Sequence, residues 1–150
     1  LFRSIAGKGK DSSYIEDRIK DSDNLKNHVK LLGSFPHSEL PSILSGSDIF
    51  IIPSTLNEVL PYTLLEAMSC ELPIIASDIP ANREALGDDG FFVPRGKEKS
   101  LTSAMLSFAS DLPEKRIEAK VHRKRVLDLF SSRTASEKVN HMIKEINKPT

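Results

Sequence analysis

Two glutamates, Glu58 and Glu66, stand on either side of Pro61 in the stretch Asn57 to Met68, NEVLPYTLLEAM. The apolar run ending at Ile52 predicts a strand, Pro53 and Ser54 a short loop, and Pro61 the first position of a helix. Proline suits that position because its fixed φ is helical and its missing N–H would have had no partner there. The N–H groups of Tyr62, Thr63 and Leu64 are then free at the positive end of the helix dipole, which makes a seat for an anion and most often for phosphate. On this helix Leu65, Met68 and Leu72 share one face, while Tyr62, Glu66, Ser69 and Cys70 fall on or near another. Helical side chains lean toward the N-terminus, so Glu66 points to the anion's end and Glu58 enters the same space from the loop. Carboxylates touching a phosphate would repel it; they suit hydroxyl groups on either side of it. Ribose hydroxyls, a diphosphate and sugar hydroxyls follow in that order in a sugar nucleotide. A plainer alternative stays open: one carboxylate offsetting the helix dipole and one exposed helical glutamate.

The elements that must position these residues alternate along the chain. Short apolar runs predict strands near residues 2 to 6, 29 to 32, 48 to 52, 73 to 77 and 91 to 93. Amphipathic spacing predicts helices near 11 to 20, 38 to 45, 62 to 71, 98 to 110, 114 to 129 and 133 to 146. Strands alternating with helices imply an α/β fold, a Rossmann-like parallel sheet with helices on both faces. Ligands of such sheets lie at the C-terminal ends of the strands, where Gly7, Gly33, Ser54 and Glu58 collect. Gly7-Lys8-Gly9 is a tight turn after the first strand, and by itself a turn is all it implies. Gly33-Ser34-Phe35-Pro36-His37 reads as a strand-to-helix turn, with Ser38 capping the next helix. Arg83-Glu84 begins a short helix with paired surface charges.

Composition narrows the function classes. The 150 residues are 39% hydrophobic and 28% charged, enough for one domain with its own core. Lys plus Arg (21) balance Asp plus Glu (21), so no net field draws the chain to nucleic acid or membrane. One cysteine, Cys70, excludes an internal disulfide, suits a reducing compartment and is read as a packing residue. No apolar run approaches the roughly 20 residues of a membrane helix. His28, His122 and His141 read as surface residues, because no Cys or acidic partner stands at metal-ligand spacing. The cluster Lys120, His122, Arg123, Lys124 and Arg125 reads as a solvated helix face, with contact to acidic lipid as the alternative. Nothing beyond residue 146 suggests structure, so Asn147 to Thr150 reads as a tail.

The frame of Glu58, seven residues and Glu66, followed by Ala67-Met68 and by Leu72-Pro73-Ile74-Ile75-Ala76-Ser77, resembles glycosyltransferase family 4, retaining enzymes of the two-domain GT-B fold. Ile5-Ala6-Gly7-Lys8-Gly9 is similar to that family's strand and glycine turn, and Val29 to Gly33 to its next strand. Ser47 to Ser54 resembles the strand that ends in Pro-Ser, Gly90-Phe91-Phe92-Val93-Pro94 the last short strand, and Phe130-Ser131 the opening of the terminal helix. Leu60-Pro61 stands where many members have an aromatic residue and glycine, a variant that stiffens the loop. Glu84 matches a common family glutamate.

The resemblance implies that residues 1–150 form a partial C-terminal nucleotide-sugar-binding domain. The N-terminal acceptor domain and the first strand-helix unit, which brings an Arg and a Lys to the diphosphate, would lie upstream; Lys8 and Lys10 do not match those positions. It further implies that Gly7, Lys8 and Gly9 face the donor and that Phe35 and His37 lie beside the base. Leu60, Pro61, Tyr62 and Thr63 line the diphosphate, Glu66 holds the ribose hydroxyls, and Glu58 faces the transferred sugar. The implied reaction moves a sugar from a UDP- or GDP-sugar to the hydroxyl of a carbohydrate or lipid-linked acceptor, with the anomeric configuration kept. It needs no cofactor and no metal, and no Asp-x-Asp motif is present. The setting implied is cytoplasmic, at or near the inner face of the membrane, with peripheral membrane contact and no nucleic acid. A sugar-nucleotide epimerase of the same fold and a non-catalytic nucleotide-binding module are the rival expectations.

Overall fold

The computed structural model describes residues 3–56 and 59–146, and of residues 138 and 142–146 the backbone alone. The chain divides into two compact units, Leu1–Leu40 and Pro41–Thr150. In the first, β1 (Arg3–Ala6) and β2 (Val29–Gly33) pair in parallel, connected through α1 (Ser12–Lys20) and α2 (Asp23–His28). The register slips between Ile5 and Ala6, so that Ala6 faces Gly33. There the backbone turns into the left-handed region at Gly33 (φ 64°) and passes φ 101° at Gly7, which an L side chain rarely adopts. The Gly7 N–H donates to Gly33 O at 2.8 Å and closes the C-terminal edge of the pair.

In the second unit α3 (Leu40–Ser45) precedes a three-stranded parallel sheet, β3 (Phe50–Ile52), β4 (Ile74–Ser77) and β5 (Phe91–Val93), with β4 in the middle. Helices α4 (Tyr62–Ser69) and α5 (Pro80–Leu86) join these strands. After β5 come α6 (Glu98–Ser110), α7 (Leu112–Glu118), α8 (Lys120–Leu129) and α9 (Ser132–Ile146). All four residues of β4 are buried, as the unbroken run Ile74-Ile75-Ala76-Ser77 requires of a strand covered on both faces. Leu64, Met68, Leu72, Ile74, Ile75, Ile79 and Leu86 are among the largest fully buried side chains, each worth about 1.5–3 kcal/mol in apolar area removed from water. On the other side of β4, Ile75 and Val93 pack with Ala104 and Phe108 of α6, and the Phe108 ring meets Phe91 edge-on at 4.8 Å.

The five expected strands all form, with ends shifted by a residue or two, and the parallel pairing stands. The described strands make two sheets where one was expected. Four helical expectations are corrected. A six-residue helix, α2, was not anticipated; Ser22 caps it, its Oγ accepting from Leu25 N–H at 3.4 Å. The single helix expected over 114–129 is two, because the chain turns at buried Ala119, where His122 N–H bonds back three residues instead of four. Ser38 is no cap: Pro36 holds the cap position and His37–Glu39 form a single 3₁₀ turn before α3. The helix expected to begin at Arg83 begins at Pro80, where proline's fixed φ suits the first turn.

Candidate donor site

The end of β1 supplies one set of expected residues. Gly7, Lys8, Gly9, Lys10, Asp11 and Ser12 wrap a concavity of about 360 Å³ closed below by Ile5, Leu31 and Gly33. Ser12 opens α1 and folds back on the turn: its Oγ accepts from Gly9 N–H at 2.9 Å, and its own N–H donates to Gly9 O at 3.1 Å. Lys8 lies over Gly33, its Cε 3.8 Å from where a Cβ would stand. Gly7, Lys8 and Gly9 are thus brought together, with exposed ammonium groups at Lys8 and Lys10 on the rim. Phe35 is half-buried in the turn after β2, and His37 is exposed at the start of the 3₁₀ turn.

In the second unit the chain leaves β3 at Ile52 and reaches α4 through Leu60 and Pro61. Glu58 lies outside the described residues. Pro61 is buried and is the cap of α4, not its first helical residue: its ψ of 105° is extended, and its carbonyl accepts from Leu64 N–H at 3.0 Å and Leu65 N–H at 3.4 Å. Leu64 N–H, expected free, is therefore bonded. The anion-facing donors reduce to Tyr62 and Thr63, which by position have no carbonyl one turn back. Both residues are exposed, Leu60 is half-buried, and Glu66 is half-buried one turn into the helix. The buried face is Leu64, Ala67 and Met68, continued by Leu72; Leu65, expected to share the face of Met68 and Leu72, is only half-buried.

Polar residues shape the C-terminal end of β4, and of these Asn82 and Asp78 were not singled out in the sequence. Asn82 is fully buried, and its Nδ2 donates to Ser77 O at 2.8 Å, pinning the start of α5 to the strand. Arg83 grips Asp78 with two bonds, Nε to Oδ1 at 2.5 Å and Nη2 to Oδ2 at 2.9 Å, while its guanidinium covers the Phe92 ring at 4.7 Å. That pairing holds the Asp78 carboxyl below its ordinary range and raises Arg83. The surface pairing expected between Arg83 and Glu84 is corrected: Arg83 pairs with Asp78.

The basic cluster is corrected in part. His122 is buried, with Nε2 facing Asp89 O at 3.4 Å and Nδ1 unbonded. Arg125 donates to Ala85 O at 2.8 Å and Glu84 O at 3.0 Å, capping the carbonyl end of α5 and docking α8 upon it. Arg123 reaches Glu71 at 3.7 Å. His28 and His141 are exposed, as expected. Cys70 ends α4, half-buried. Among the described residues no three His, Cys, Asp or Glu side chains stand together to hold a metal ion, and no helix is long and apolar enough to cross a membrane.

Known proteins share both sequence and fold. The family model of the glycosyl transferases group 1 matches residues 3–111. An Escherichia coli UDP-Gal:alpha-D-GlcNAc-diphosphoundecaprenol alpha-1,3-galactosyltransferase is 29% identical over 148 residues, which is 96% of this chain and 34% of the relative. The amylovoran biosynthesis glycosyltransferase AmsK of Erwinia amylovora is 31% identical over 110 residues, 69% of this chain and 27% of the relative. Among solved structures, Anabaena HepE in complex with UDP superposes with a TM-score of 0.83 at 18% identity, over 97% of this chain and 41% of that one. A glycosyltransferase from Rickettsia africae gives 0.78 at 24% identity, over 100% and 41%. This chain therefore spans about a third of the length of the curated relatives it matches. Its parallel strands and flanking helices are those of a GT-B half, and the chain belongs to the glycosyl transferases group 1 family.

Proposed function

We propose that this chain is the donor-binding part of a retaining glycosyltransferase, which takes a sugar from a UDP- or GDP-sugar to a hydroxyl of a carbohydrate or lipid-linked acceptor. The observation that carries the reading is the start of α4. Extended Pro61 leaves the Tyr62 and Thr63 N–H groups at an open helix end, with Glu66 one turn inside. Helix-end amides favour the charge that builds on a leaving diphosphate as the bond to the sugar breaks, and they need no reorganisation to do so. In this reading that electrostatic support makes a metal unnecessary, Glu66 accepts from the ribose hydroxyls, and Glu58 faces the sugar.

The glycine turn supports the reading from the first unit, where the backbone of Gly7 to Gly9 lies open beside two ammonium groups. Structures with related folds have been solved with UDP and with UDP-glucose, and relatives are named for diphosphoundecaprenol-linked and phosphatidyl-inositol acceptors. A lipid-linked acceptor sets the work in the cytoplasm, at the membrane face.

Amide NMR titration of this chain with UDP- and GDP-sugars up to millimolar concentration detects binding as weak as about −4 kcal/mol. Shifts confined to Gly7 to Gly9, Phe35 to His37 and Leu60 to Glu66 are expected. In the full-length enzyme, Glu66→Ala should weaken nucleotide binding, whereas Glu58→Ala should cost turnover more than affinity. Equal and negligible effects would remove both roles. Donor isomerised without any acceptor present would replace transfer by epimerisation.

A further inference from the structure

The chain is electrically balanced, but its charges are not evenly spread. Residues 115–125 hold six basic side chains, Lys115, Arg116, Lys120, Arg123, Lys124 and Arg125, against the single carboxylate of Glu118. Four of the six have work within the fold. Lys115 is tied to Glu118 at 2.8 Å, Arg116 to Asp48 at 2.7 Å, Arg123 loosely to Glu71 at 3.7 Å, and Arg125 to the carbonyls of α5. Lys120 and Lys124 have no ion-pair partner among the described residues, and both are exposed.

Helical spacing within α8 puts these two lysines on one stripe with Leu127, flanked by Val121 and Arg123. His122 is buried and Arg125 and Val126 are half-buried on the opposite side of α8, so the stripe faces away from the core. Its aliphatic side chains are bare: Val121 is 42% exposed and Leu127 57%. From Lys120 to Leu127 the stripe is about 10 Å long, and its first acidic residue is Asp128, at its end. Cations alternating with bare aliphatic groups on one helical face match an anionic bilayer surface. There the ammonium groups meet headgroup phosphates and the aliphatic groups enter the acyl boundary. A nucleic acid backbone would use the lysines and leave Val121 and Leu127 without a partner.

We propose that the outward face of α8, built on Lys120, Val121, Lys124 and Leu127, rests on a membrane surface rich in anionic lipid. The proposal deepens the reading of a lipid-linked acceptor and names the surface that would bring the enzyme to it. Vesicle binding and nucleotide binding are read separately, so either can fail while the other stands.

The test is co-sedimentation of this chain with phosphatidylcholine vesicles and with vesicles containing about one third phosphatidylglycerol. Binding to the anionic vesicles only is expected, weakening as salt rises from about 0.05 to 0.5 M. Lys120→Glu with Lys124→Glu should lower that binding at least about 25-fold, taking each lysine as about five-fold. Lys20→Glu with Lys26→Glu changes the net charge equally, on exposed helix positions elsewhere, and should leave most of the binding. Val121→Ser with Leu127→Ser should remove the part that resists salt. Equal binding to neutral vesicles, no binding to anionic ones, or equal loss in both charge-reversed variants would overturn the proposal.

Discussion

The two compact units solve the same problem, a parallel strand ending in a turn, with different resources. Among the described residues of the first unit none is buried: all four residues of β1 are exposed and β2 is at most half-buried. In the second unit β4 is buried throughout and backed by Leu64, Met68 and Phe108. The glycine turn of the first unit is thus held by backbone bonds, Gly7 N–H to Gly33 O and the reciprocal pair between Gly9 and Ser12. The helix start of the second is held by packing. Hydrogen bonds exchanged with water contribute little net, whereas buried apolar area contributes steadily. The first turn should therefore adapt to a ligand and the second should present a fixed one.

The largest expected effect breaks that contrast directly. Leu64→Ala empties a fully buried site and should cost about 3 kcal/mol or more, while Ile5→Ala, at a position 40% exposed, should cost about 1 kcal/mol or less. Urea unfolding followed by amide resonances from each unit separates the two. Similar costs would mean that the first unit has a core equal to the second. Amide exchange in the wild-type chain sharpens the same point, with β4 protected longest and β1 least.

Glycine substitution gives the next, somewhat smaller difference. At Gly90 a Cβ would overlap the Phe92 ring and lie 2.7 Å from Leu86 Cβ, so Gly90→Ala should cost about 1–3 kcal/mol through crowding in a packed wall. At Gly7 a Cβ meets nothing within 4 Å, but φ is 101°. Gly7→Ala should cost about 1–2 kcal/mol by backbone strain alone, and the turn should relax, moving Lys8. Crystal structures or chemical shifts of the two variants would tell crowding from strain. A displaced Phe92 ring in the first and a changed backbone at residues 7–9 in the second are expected.

Which parts were legible follows from the same physics. Runs such as Ile74-Ile75-Ala76-Ser77 announce a strand covered on both faces, and all five strands were readable to within a residue or two. Helix α2 was signalled by Ser22 with Asp23 behind it, but six residues carry too little periodicity to stand out. The glycine turn and the stretch around Pro61 were placed correctly as ends of elements. What failed there was one residue of phase: the ψ of Pro61 is not fixed by its ring, and an extended value moves the first helical residue to Tyr62. His122 was read by its company, Lys120 to Arg125, when its spacing from Ala119 and Val126 marks an inward stripe. Asn82 could not be foreseen, because its partner is a backbone carbonyl that no residue type announces.

Buried His122 makes the second unit sensitive to acid. Burial disfavours its charged form and the nearby Arg125 cation adds to this, while Asp89 and Glu118 oppose it, and the net result lowers its affinity for protons. The unfolded chain then takes up the proton first as pH falls below the ordinary value of 6.5, so stability should drop through that range and level off below the folded-state value. His122→Phe should flatten the pH dependence of thermal unfolding between about pH 7 and 5. A parallel slope in wild type and variant would place the acid sensitivity in other groups.

The smallest effect concerns the one positive φ that the described chain gives to a residue other than glycine, Glu71 at 56°. After α4 the Glu71 N–H donates to Met68 O at 3.1 Å and the Leu72 N–H to Ala67 O at 3.2 Å, the closing bonds of a left-handed helix end that usually takes glycine. The first unit meets positive φ with Gly7 and Gly33 and the second with Gly87 and Gly96, yet after α4 the second holds a glutamate, because buried Leu72 and Met68 fix the path on either side. Glu71→Gly should therefore stabilise the second unit by about 1 kcal/mol, the strain relieved exceeding the weak exposed pair with Arg123 that is lost. Arg123→Ala isolates that pair and should cost less than about 0.5 kcal/mol. If Glu71→Gly instead destabilises by as much as Arg123→Ala does, the ion pair and not the packed backbone is what holds this turn.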